Sequence, residues 1–119
     1  MTNSFKHFSV EQRDRVTVLH LTDMDLLDRL ITNELQDELL KFIEANNPPC
    51  LIISFKEVRR CSTEIINALL RSRKRVGEYK GKTKLCNMRD EIRDVFKMLN
   101  LEGSVFDIYK TDSDAEKTC

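Results

Sequence analysis

At 119 residues, 40% of them hydrophobic and 34% charged, the chain has room for one domain and the composition of a globular protein. Its 20 basic and 20 acidic residues cancel, so the large positive excess of a nucleic-acid binder is missing. No apolar run is long enough to span a bilayer, and the opening MTNSFKHF lacks the apolar core of a secretory signal, so the expected compartment is the cytoplasm, with no membrane insertion.

Residues Phe5 to Gln12 read as a first strand, with Phe8 and Val10 alternating against polar neighbours. Arg13-Asp14 supplies a turn, and the β-branched run Val16 to Thr22 a second strand paired with the first as a hairpin. Asp23 to Ile31 is a connection of mixed signals. From Thr32, a plausible N-cap, Leu35, Leu39, Phe42 and Ile43 share one helical face. Asn46-Asn47-Pro48-Pro49 stops that helix, since proline cannot continue it.

Cys50 to Phe55 is almost wholly apolar, as expected of a central strand covered on both faces. A charged loop from Lys56 to Cys61 leads to a second helix, from about Thr63 to Tyr79, with Ile65, Ile66, Leu69, Leu70 and Val76 inward. Gly81 breaks it. Thr83 to Cys86 is a further strand. Asn87 is the expected cap of a third helix, with Asp90 three residues on, and Ile92, Val95, Phe96 and Leu99 form its inner face. Gly103 closes that unit, and Val105 to Tyr109 reads as the last strand. The polar tail from Thr111 either holds a short helix around Ala115 or frays.

The predicted order is β-β-α-β-α-β-α-β. Strands alternating with helices call for parallel crossovers, and the opening hairpin adds an antiparallel edge, so the fold class is α/β with a mixed sheet. Residues 1–110 are expected to form one domain and 111–119 a polar tail. With tryptophan absent, six Phe supply most of the aromatic core.

The motifs of enzymes are missing. Three glycines cannot make a phosphate-binding glycine loop, and no G-x-S-x-G elbow occurs. Of Cys50, Cys61, Cys86 and Cys119, no pair has the close spacing of a zinc site, and His7 and His20 lie far from them in sequence. The four thiols are expected reduced, with Cys50 and Cys86 acting as small hydrophobes in strands. Arg59 and Arg60 can lower the pKa of Cys61, but no base follows nearby. His7 and His20 read as structural strand residues, and Asp23 and Asp25 as a cation pair or a water-facing one. No catalytic residue, metal or cofactor is expected.

Two stretches stand out. Arg71, Arg73, Lys74, Arg75, Lys80, Lys82 and Lys84 surround the single acid Glu78; they form either a solvated face or a docking patch for an acidic partner. In Arg60 to Asn67 (RCSTEIIN), Ser62 and Thr63 sit where a helix needs its N-cap. The same position suits a phosphate, because a helix N-terminus carries partial positive charge and a phosphoryl group changes an exposed surface by nearly two charges.

The chain resembles the STAS domain of anti-sigma-factor antagonists. The resemblance rests on Leu51-Ile52-Ile53-Ser54-Phe55, then Val58, then Ser62-Thr63-Glu64-Ile65-Ile66-Asn67-Ala68-Leu69-Leu70, set against the family's strand, its Asp-Ser-Ser-Gly loop and its Leu-Gly-x-Leu-Leu helix. Thr83 to Asn87, Arg93 to Phe96, Leu99 to Leu101 and Phe106 to Tyr109 continue it through the later elements. Order and spacing carry the likeness, which covers nearly the whole chain.

The resemblance implies a single STAS-like domain that docks on an anti-sigma-factor kinase and releases a sigma factor, with binding lost when the kinase phosphorylates the start of the second helix. It places the partner surface on Arg59, Arg60, Ser62, Thr63, Glu64 and Asn67. Glu64 stands where the family's phosphoacceptor serine is usual, Ser62 replaces the motif's Asp, Ile65 and Asn67 replace its glycines, and Ser54 replaces a strand-end Asp. Glutamate accepts no phosphate, so Thr63 and then Ser62 are the acceptor candidates. The alternative is a STAS scaffold module, without a phospho-switch, of a stress-signalling or transporter-associated assembly.

Overall fold

The structure, a computed structural model, describes residues 5–119. Strands β1 (Phe8–Arg13) and β2 (Val16–Leu21) form the expected antiparallel hairpin. It is closed by Asp14 in the left-handed region, a conformation that Asp tolerates in turns. A two-residue strand β3 (Asp25–Leu26) leads to helix α1 (Arg29–Asn46). Strand β4 (Cys50–Ser54), a second two-residue strand β5 (Arg60–Cys61), helix α2 (Glu64–Gly77), β6 (Lys82–Cys86), α3 (Asp90–Met98), β7 (Asp107–Tyr109) and a short α4 (Asp112–Glu116) complete the chain. The main sheet runs β1-β2-β4-β6-β7, with every neighbour after β1-β2 parallel.

Alternation along the strands divides the core. Leu19, Leu21, Leu51, Ile53 and Leu85 face one side, where α1, α2 and α3 cover them with Leu35, Leu39, Phe42, Ile65, Leu69 and Phe96. Val16, Val18, Cys50, Ile52 and Cys86 face the other side, under Ala115 of α4. All five residues of β4 are therefore buried, as its apolar run requires. Each large side chain removed from water in this way stabilises the fold by roughly 1.5–3 kcal/mol.

Several expectations need correction. Helix α1 starts earlier than Thr32: Asp28 is the N-cap, its carboxylate accepting from the Leu30 amide at 2.7 Å. Thr32 is buried within the helix, its hydroxyl donating to Arg29 O. Asn87 does not cap α3. It takes a left-handed turn, and Arg89 occupies the cap position without a side-chain bond. Val105 and Phe106 are not strand residues, because both amides fold back onto Leu101 O and so bend the chain away from β6. Val10 is 40% exposed, since β1 is an edge strand with one side open to solvent.

Cys50 and Cys119, expected as thiols, are joined as a disulfide with their Cα atoms 6.0 Å apart. Helix α4 crosses the back of the sheet and delivers the chain end to the start of β4, a meeting that a separation of 69 residues conceals. Arg13 holds the same helix electrostatically, reaching Asp112 at 2.8 Å and Glu116 at 3.3 Å. No helix of the described residues is long and apolar enough to cross a membrane.

Candidate functional site

The turn ahead of α2 is built by a small parallel sheet. β5 pairs with β3, Arg59 N and Arg60 N both donate to Met24 O, and Ser62 N donates to Leu26 O at 2.9 Å. The segment is thus clamped to the connection between β2 and α1. Two-residue strands have no independent stability, so this clamp exists only because the surrounding fold brings the segments together. Arg60 Nε donates to Asp25 at 2.9 Å across the same junction, and this hydrogen bond draws the Asp25 carboxyl below its usual pKa.

Thr63 is the residue before the first helical turn, yet it has helical dihedrals and its side chain makes no capping bond. The capping role expected for Ser62 and Thr63 is therefore carried by neither hydroxyl. Ser62 Oγ is buried and has no partner, whereas Thr63 is exposed. The Ser62 and Thr63 carbonyls accept from the Ile65 and Ile66 amides at 3.2 and 3.0 Å, which starts the helix from the backbone alone. Glu64 lies in the first turn, where a negative charge favours the helix dipole, and accepts from Arg29 Nε at 3.0 Å.

Beside this turn lies a groove of about 300 Å³ between the start of α2 and one side of α3. Ile65, Ile66, Ile92, Val95 and Phe96 make its apolar wall, and Arg59, Arg60, Ser62, Thr63 and Glu91 its polar rim. Of the predicted partner residues, four therefore share one groove. Glu64 turns toward α1 instead, and Asn67 is exposed one helical turn further along α2. The sequence reading missed two parts. One is the α3 wall, whose inward pattern was legible but whose neighbour was not. The other is the set of exposed apolar side chains Met24, Leu27 and Leu30 between β2 and the first turn of α1, exposed by 50%, 47% and 67%.

The other candidates resolve structurally. Burial pushes the Cys61 thiol up to about 11, which overrides the expected effect of Arg59 and Arg60. Burial likewise pushes Cys86 up to about 12. Asp23 and Asp25 do not converge, because Asp23 pairs with His7 at 2.6 Å and Asp25 with Arg60. Glu11, His20 and Asp112 do converge, but the Arg13 guanidinium bonds both carboxylates, so the group is an ion-pair network with the positive charge already in place. Hydrogen bonds from Arg13 and His20 hold Glu11 down to about 2.

A family model described as the STAS domain matches residues 7–115. Among solved structures, an anti-sigma-factor antagonist (STAS) domain protein from Planctomyces limnophilus superposes with a TM-score of 0.81 at 20% identity, over 93% of this chain and 95% of that one. The unphosphorylated anti-sigma factor antagonist SpoIIAA gives 0.76 at 20% identity, over 93% and 94%. The phosphorylated form of SpoIIAA, a Bacillus cell fate determinant, gives 0.69 at 20%, over 93% and 97%. A chain of the stressosome, described as a signal integration and transduction hub, gives 0.64 at 13%, over 92% and 94%. No curated protein matches the sequence.

Proposed function

The chain belongs to the STAS domain family, and from that premise we propose that it is a protein-binding regulatory domain which docks on an anti-sigma-factor serine/threonine kinase and so frees a sigma factor. The observation that carries this reading is the surface around the α2 turn. Met24, Leu27 and Leu30 are half of the six large hydrophobic side chains exposed among the described residues; Met24 and Leu27 lie in the connection clamped to that turn and Leu30 in the first turn of α1 that follows it. Apolar groups left in water beside an apolar groove with an arginine rim have the make-up of a protein interface.

Thr63 is the switch in this proposal. The residue is exposed beside the groove, at the positive end of a 14-residue helix. A phosphoryl group there gains from the helix dipole while adding nearly two negative charges to the docking edge. The partner that fits the neutral turn then meets a dianion. Ser62 ranks below it for a physical reason: a kinase cannot reach a hydroxyl that has no solvent contact. The role is binding, not catalysis, and it needs no cofactor.

The second reading, a scaffold module without a switch, draws on one observation. At the position where the resemblance places the acceptor serine, Glu64 is already charged and already paired with Arg29. Co-elution decides between the two. The chain is mixed with the anti-sigma-factor kinases of its own genome, and a stable complex with one of them is expected. Failure to bind any of them, together with assembly alongside other STAS proteins, would favour the scaffold.

A further inference from the structure

The basic stretch at the end of α2 has a structure of its own. Arg75 leaves it, pairing with Glu44 at 2.6 Å and Glu78 at 3.5 Å. Arg73, Lys74, Lys82 and Lys84 instead line one cleft of about 590 Å³, between the last turns of α2 and the edge of β6, with Asp107 its single acid. None of the four is in an ion pair among the described residues. Cations in the last turn of a helix compensate its dipole, which accounts for Lys74. It does not account for the two lysines on β6.

Lys84 is the telling residue. It is only 4% exposed, yet no carboxylate meets its ammonium. Its Nζ donates to Tyr109 Oη at 3.3 Å, to Thr118 O at 3.2 Å and to Thr118 Oγ1, and stands 5.1 Å from the Tyr109 ring centre. Neutral acceptors satisfy its protons but leave its charge uncompensated, and a buried charge without a counter-ion is costly. Beside it, the Thr83 hydroxyl is buried without a partner. β7 begins to pair only at Lys84, so Lys82 and Thr83 lie on an open strand edge facing the cleft.

We propose that this cleft binds a small phosphate-bearing anion. Four cations against one carboxylate in the lining set the sign of the charge. A concave site combining ammonium and guanidinium donors suits the clustered oxygens of phosphate groups. The site is separate from the α2 turn, which is at the opposite end of the same helix.

Binding is measured on the full chain with inorganic phosphate and tripolyphosphate, by titration and by amide chemical shifts. Tripolyphosphate is expected to bind more tightly than phosphate and to shift the amides of Lys82 to Lys84 and Asp107 to Tyr109. The double variant Arg73→Glu/Lys82→Glu changes only exposed side chains, so its fold is expected to persist, and its affinity to fall by roughly tenfold or more. Lys97→Glu on α3 is expected to bind like the wild type. Shifts centred on Ser62 to Ile65, or an equal loss in Lys97→Glu, would overturn the site. A polyglutamate peptide bound more tightly than tripolyphosphate would overturn the ligand class and make the cleft a docking surface for acidic proteins.

Discussion

Ser62 and Thr63 are bonded neighbours with opposite surroundings: the Ser62 hydroxyl is sealed from solvent and unpartnered, and the Thr63 side chain stands in water beside the groove. Incubation with a cognate kinase and ATP should therefore place phosphate on Thr63. Peptide mapping checks this, with Ser62→Ala still modified and Thr63→Ala unmodified. Ser62→Ala should also match or exceed the wild type in stability, because it deletes a buried hydroxyl that makes no hydrogen bond.

His7 ties the start of β1 to α1 and to the loop after β2. It is 6% exposed, its Nδ1 is 2.6 Å from Asp23 and its Nε2 is 3.0 Å from Glu34, while its own amide donates to Glu38. Both ring nitrogens can donate to carboxylates only when the ring is charged. Burial opposes that charge, and the hydrogen bonds to Glu34 and Asp23 outweigh it, so the pKa lies above the ordinary 6.5. The sign follows by linkage. A group with a raised folded pKa contributes stability that is whole below its unfolded pKa and is lost as pH climbs through the folded value. Between about pH 6 and about pH 9, the urea midpoint of the wild type should drop more than that of His7→Gln. Parallel profiles would contradict the clamp.

Two glycines should respond to alanine with opposite signs. A Cβ at Gly81 would stand 2.7 Å from Val76 Cγ1, 2.9 Å from Tyr79 Cε1 and 3.2 Å from Pro48 O, whereas nothing lies within 4 Å of one at Gly77. Gly81→Ala should cost about 1–3 kcal/mol through overpacking. Gly77→Ala, at the end of α2, should gain about 0.5–1 kcal/mol. Chemical denaturation measures both.

The Cys50–Cys119 bond closes a loop of 69 residues and pins the chain beyond α4. Its reduction should lower stability by roughly 3–5 kcal/mol in the chain-entropy account. Amide exchange should speed up in Asp112–Glu116 before it does in α2. Unchanged exchange in α4 after reduction would mean that Arg13 and the buried Ala115 hold the helix without help.

The elements visible in the sequence are those whose own pattern is sufficient. β4 is apolar but for its last residue, Ser54, and α2 repeats its inward residues at helical spacing. What the sequence conceals depends on distant partners. β3 and β5 are strands only because each meets the other. The start of α1 is masked by exposed Leu27 and Leu30, which break the amphipathic stripe around the true cap at Asp28. At the site, RCSTEIIN marks the right turn, but residue types alone cannot say which of two adjacent hydroxyls is buried. Nor can they place Ile92 and Phe96 across a groove from it.

The central claim is that the charge on the α2 turn decides whether the partner binds. Its most direct test is the affinity of the cognate anti-sigma-factor kinase for Thr63→Asp and Ser113→Asp, each against the wild type, by calorimetry. Both side chains are exposed and both variants add one negative charge, but Ser113 is on α4, on the other side of the sheet. Thr63→Asp should bind at least about tenfold more weakly while Ser113→Asp binds like the wild type. Equal affinities for the two variants would contradict the claim.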